Sequence, residues 1–197
     1  MIDALMRGSR VVFRAGALVP WLVLTVVVCA GVVLVDLVSA FFASAAFVLL
    51  GPLLPIAGLG LSYAPSVNVD YQLVVASPYS TLRLLLLRAA VFLALAAPGL
   101  LFCGHRLEGV QFGARVLAQA AAVVAVGLAQ STLMAPTISA AVVSFAWISL
   151  VQVFMMAGGL TDITSSHGVA LAVCTVVAAL FVLVVRRRAL STDWRYS

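Results

Sequence analysis

Residues 66–88 read SVNVDYQLVVASPYSTLRLLLLR, the one long polar-interrupted connection between otherwise apolar segments. A short helix is predicted from about Val69 to Ser77. Asn68 or Ser66 can accept its first-turn amide hydrogen bonds, and the Asp70 carboxylate suits the positive end of a helix. Such a helix covers only about 12 to 14 Å, too little to cross a bilayer but enough to lie at its surface. Pro78 has no amide donor and pushes Ser77 out of the helical region, which ends the helix there. Ser80 then offers a cap for a second helix. The plainer reading is a simple turn between two apolar hairpins, which needs far fewer residues.

Outward from this stretch the chain is apolar in both directions. Of its 197 residues, 65% are hydrophobic and 9% are charged, against roughly 25% charged in an ordinary soluble domain. No soluble surface can be built from that composition, and apolar blocks about 20 residues long indicate membrane helices rather than the short alternating strands of a barrel. The expected fold is therefore an all-α integral membrane protein forming a single domain over residues 1–197.

Six spans are predicted, at about 15–35, 41–63, 80–103, 116–134, 137–157 and 169–185. Pro52 and Pro55, with Gly51, Gly58 and Gly60, should kink or locally open the second span, whose freed carbonyls then need neighbours or a cavity. Residues 1–14 carry three arginines among Ile2, Leu5, Met6 and Val12, a spacing compatible with an amphipathic interfacial helix; the alternative is a frayed basic tail. The apolar run that follows is too long for a typical cleaved leader, so the first helix is expected to be retained.

All 11 basic residues are arginines, standing singly or in threes at the ends of apolar blocks. That pattern orients membrane helices and does not point to nucleic acid. With six spans, nine arginines fall on the side of the termini and of 66–88, and two, Arg106 and Arg115, on the other. The positive-inside rule places both termini, the 66–79 segment and the 186–197 tail in the cytoplasm. Arg83 and Arg88 at the start of the third span, and Arg186, Arg187 and Arg188 at the end of the sixth, are expected as interfacial anchors whose guanidinium heads reach the lipid phosphates.

Candidate chemistry is sparse. Paired intramembrane aspartates, a Ser/His pair at membrane depth and an HExxH sequence are all missing from the sequence. His105 and His167 fall in outer connections, so no catalytic residue and no metal site is expected. Cys29, Cys103 and Cys174 each sit inside an apolar block without paired spacing and read as small buried residues. Gln119, Gln130 and Gln152 are the most polar side chains well inside spans. They either hydrogen-bond between helices or line a translocation path.

The stretch DYQLVVASPYSTLRLLLLR, between the second and third of six spans, resembles the cytoplasmic connection of permease subunits of ABC-2 type ABC transporters, particularly small bacterial ones. The resemblance implies that residues 1–14 form an elbow helix. It also implies that Asp70, Tyr71, Gln72, Leu73, Ala76, Ser77 and Pro78 form a coupling helix docking on a separate ATP-binding cassette ATPase. Ser80, Leu82, Arg83, Leu84 and Arg88 would then begin the third span, and residues 158–168 would match a polar outer segment that is sometimes re-entrant. Where related loops often carry an acidic residue after the tyrosine, this chain has Gln72. The implied protein is a multi-pass permease of the bacterial cytoplasmic membrane, paired with a second permease copy or a homologous subunit. It would export an amphipathic or hydrophobic substrate, with ATP and magnesium bound only by the partner. The sequence has no phosphate-binding loop of its own, so no enzymatic activity is expected of it. The rival reading is a non-transporting scaffold that recruits a cytoplasmic partner through the same loop.

Overall fold

The computed structural model describes residues 15–62, 81–157, 159 and 163–186. Within them the chain forms α1 (Ala15–Asp36), α2 (Ala40–Leu50), α3 (Leu53–Ser62), α4 (Thr81–Leu107), α5 (Val110–Gln130), α6 (Pro136–Met156) and α7 (Ser166–Arg186). Helices α2 and α3 are the two halves of one span, giving six helical segments long and apolar enough to cross a membrane. The outward faces are as apolar as the core: Val26, Phe145 and Phe181 expose 66, 73 and 70% of their surfaces. Water does not tolerate a continuous surface of that kind, and hydrocarbon does. The chain is a six-span, all-α integral membrane protein.

The second span breaks where the sequence requires it. Leu50 ends α2, Gly51 and Pro52 form a turn, and α3 resumes at Leu53. Two indole N–H groups serve the carbonyls beside the break. Trp21 of α1 donates to the Leu54 carbonyl at 2.7 Å, and Trp147 of α6 donates to the Leu49 carbonyl at 3.1 Å. In lipid an unsatisfied carbonyl costs several kcal/mol, so the Trp147 bond to the end of α2 stabilises the break. Trp21 is fully buried and meets Phe92 of α4 edge-on at 5.1 Å. Gly58 leaves room for this pair, since a Cβ there would stand 2.5 Å from Phe92 and 2.7 Å from the Trp21 ring.

Helix α5 is the centre of the bundle, with 61% of its span buried against 17% for the first and last spans. Its small residues Ala120, Ala122, Ala125 and Gly127 are buried and let neighbouring backbones approach. Its most intimate partner is α4. A Cβ on Gly104 would stand 2.2 Å from the Gly113 Cα, so the two helices cross backbone against backbone.

Residues 105–115, which the predicted spans leave as an outer polar connection, are mostly helical. Helix α4 runs on to Leu107 and α5 starts at Val110. The turn between them is Glu108 and Gly109, and Gly109 takes φ 102° and ψ 170°, a conformation essentially reserved for glycine. Exposed His105, Arg106, Glu108 and Gln111 project from this helical hairpin. The remaining spans lie close to the predicted positions.

Candidate functional site

The residues expected to dock a partner, Asp70, Tyr71, Gln72, Leu73, Ala76, Ser77 and Pro78, lie outside the described residues, as do the 1–14 elbow segment, Arg187 and Arg188. The side chains of Arg83 and Arg186 also lie outside them. What is described is the pair of stems from which the 63–80 connection springs: the end of α3 at Ser62 and the beginning of α4.

Arg88 joins these stems. It was expected to reach outward to lipid phosphates; instead it is 4% exposed, and its guanidinium Nη1 donates to the Ser62 carbonyl at 3.2 Å. Ser62 is the last residue of α3, so its carbonyl belongs to the negative end of a helix dipole and lacks an intrahelical donor. A cation at that place is stabilised by charge as well as by the hydrogen bond. The local sequence shows only an arginine in a leucine-rich block. Its partner lies 26 positions earlier, which is why sequence periodicity assigns it to the interface. Ser62 also folds its own hydroxyl back onto the Leu59 carbonyl at 2.7 Å.

The three glutamines separate. Gln119 is buried, 3% exposed, and its Nε2 donates to the Ile163 carbonyl at 2.5 Å. One turn earlier, Arg115 donates to the Thr164 carbonyl at 2.9 Å. Gln119 lies about 14 Å along α5 from Val110, so residues 163–165 enter the bundle rather than cap its end. Sequence reasoning marked Gln119 but not its use as a receptor for this inward segment; the nearby polar residues Arg115 and Thr164 were the available signal.

Gln130, at the last turn of α5, is partly buried, and its Oε1 has no hydrogen-bond partner among the described residues. Beside it the start of α6 is tied to α5 by the Ser139 hydroxyl, which donates to the Gly127 carbonyl at 2.7 Å. Gln152, expected to face the bundle, is instead exposed on α6. The apolar side of that helix turns inward with Val143 and Val151, and Gln152 falls on the opposite side.

Among the described residues no group of three or more His, Cys, Asp or Glu side chains could hold a metal ion. His105 and His167 are both exposed. Comparison with protein-family models, with curated proteins and with solved structures finds no match to this chain. The class defined by fold and site is that of a multi-span membrane protein whose second and third spans are tied together by Arg88.

Proposed function

We propose that this chain is the membrane-spanning subunit of an ATP-driven transporter of the ABC-2 permease type, exporting an amphipathic or hydrophobic substrate. A separate ATPase would dock on residues 66–79 and hydrolyse ATP. The observation that carries this reading is the Arg88 bond to the Ser62 carbonyl. It couples both stems of the connection, so a push delivered to residues 66–79 reaches α3 and α4 together.

From there the geometry offers two paths. Helix α3 ends at the Gly51–Pro52 break, where a change of tilt does not have to bend a continuous helix. Helix α4, about 40 Å long, carries the motion along its crossing with α5. The exposed Gln152 amide on α6 supports a second copy seated on that face, because an amide in hydrocarbon gains from a partner across an interface.

The scaffold reading draws support from Gln119, whose amide holds the inward segment instead of facing an open path. The two readings separate in one experiment: the chain is purified with its associated subunits, and ATP hydrolysis is measured with and without it, with Tyr71→Asp and Leu73→Asp variants alongside. Transport coupling predicts an associated ATPase whose rate depends on the chain and whose association is lost in both variants. If no ATPase associates, the permease assignment fails.

A further inference from the structure

The sequence shows three scattered cysteines; the fold brings two of them together. Cys29 on α1 lies about 10 Å from the Asp36 end of its helix, and Cys103 on α4 lies about 6 Å from the Leu107 end. Cys29 packs against the buried cluster that holds Cys103, its sulfur lying against the backbone of α4 at Gly99, one turn from Cys103, and both thiols are free.

The approach is built into the helix faces. Gly99, one turn before Cys103, presents no side chain to α1, and a Cβ there would already stand 3.4 Å from the Cys29 sulfur. Thr25, one turn before Cys29, occupies the neighbouring place against Gly99. Cys103 is buried, whereas Cys29 is only partly covered, on a helix most of whose surface faces the hydrocarbon.

We propose that Cys29 and Cys103 form a redox clasp that closes into a disulfide between the first and third spans, with a lipid-soluble quinone as the oxidant. In the closing step two S–H bonds break and one S–S bond forms. The two electrons and two protons pass to the quinone, which leaves as the hydroquinone; a dithiol reverses the step by exchange.

The surroundings select this chemistry over metal binding. Two thiolates holding a monovalent soft cation carry a net negative charge, which is costly in hydrocarbon. A disulfide is neutral and gives up only two weak S–H donors. The oxidant class follows from access, since Cys29 opens toward the hydrocarbon phase rather than toward water. The closed clasp fixes α1 to α4 near one membrane face, at positions 74 residues apart in the chain. This inference stands independently of the transport proposal.

The test counts thiols on the full chain in membranes. A fully substituted short-chain quinone is added, the reaction is quenched, the sample is dissolved in SDS, and remaining thiols are tagged with a maleimide polymer. The untreated chain carries three tags, one per cysteine. Quinone treatment is expected to leave a single tag, on Cys174, with dithiothreitol restoring all three.

Cys174→Ser is expected to fall from two tags to none while remaining monomeric on a non-reducing gel. Cys29→Ser and Cys103→Ser are expected to keep both remaining tags. Three tags persisting in the treated wild type would overturn the clasp, as would loss of the Cys103 tag in Cys29→Ser or tag loss seen only in cross-linked dimers. Closure by copper–phenanthroline but not by the quinone would overturn the assigned oxidant and with it the proposal.

Discussion

Substituting Gly104 by alanine places a methyl group where the Gly113 Cα stands 2.2 Å and its nitrogen 2.4 Å away. Ordinary van der Waals contact begins near 3.4 Å, so α4 and α5 must separate by more than 1 Å. No rotamer relieves the clash, because the obstacle is backbone. Overpacking typically costs about 1–3 kcal/mol, and the rigid obstacle puts this case at the upper end. Gly31→Ala on α1 is the matched control. Nothing lies within 4 Å of its Cβ position, and replacing a helical glycine by alanine gains up to about 1 kcal/mol. That propensity gain is common to both helical positions and cancels, so the two variants should differ by about 3 kcal/mol, roughly a hundredfold in the folded-to-unfolded ratio. Reversible unfolding by SDS in mixed micelles, followed by circular dichroism and tryptophan fluorescence, reads that difference. Equal stability of Gly104→Ala and Gly31→Ala would refute the backbone-to-backbone crossing.

Trp147→Phe removes the donor to the Leu49 carbonyl at the end of α2, and leaving a buried acceptor unsatisfied costs about 1–3 kcal/mol, whereas Trp21→Phe removes a second donor to the Leu54 carbonyl, which the helix already bonds, together with the buried indole's packing on Phe92. The same unfolding assay should show a loss for both, that of Trp21 coming from the packing of a fully buried ring. Gln119→Leu removes the amide that holds the Ile163 carbonyl, so amide hydrogen exchange in residues 163–166 should rise; unchanged protection there would contradict the inward docking. Gln152→Leu should leave the stability of the single chain within about 0.5 kcal/mol but weaken self-association measured by cross-linking in membranes. Retention of full dimer yield would remove α6 as the contact face.

The spans were legible because hydrocarbon imposes length and composition on each helix separately. The second-span break was legible for the same local reason: proline removes donors wherever it stands, and at the end of α2 a neighbouring span does supply a donor, Trp147 to the Leu49 carbonyl. Which neighbour does so was not legible, since the indole donor comes from another span. The 105–115 stretch misled because polarity read as a connection, whereas Arg106 and Gln111 ride on the exposed faces of two helices brought together by Gly104 and Gly113, Glu108 sits in the turn, and Arg115 turns in to the Thr164 carbonyl. Arg88 misled in the opposite direction: an arginine near a span end snorkels unless a helix C-terminus is within reach, and that helix lies across the 63–80 connection. Gln119 was correctly singled out as a polar residue needing a partner, but Gln152 was not distinguishable from it, because the helical face of an almost uniformly apolar span carries little amphipathic signal. The Cys29–Cys103 contact has no sequence signature at all, being made by two helices 74 positions apart.

In the proposed function residues 66–79 connect the bundle to a separate nucleotide-hydrolysing subunit. Its most direct measurement is site-specific photocross-linking from position 73, with a photoreactive amino acid in place of Leu73, in native membranes, followed by mass spectrometry of the adduct. The expected product is an adduct with an ATP-binding cassette ATPase that disappears when Tyr71→Asp is introduced alongside. Cross-linking only to lipid, or to a protein with no nucleotide-binding domain, would contradict it.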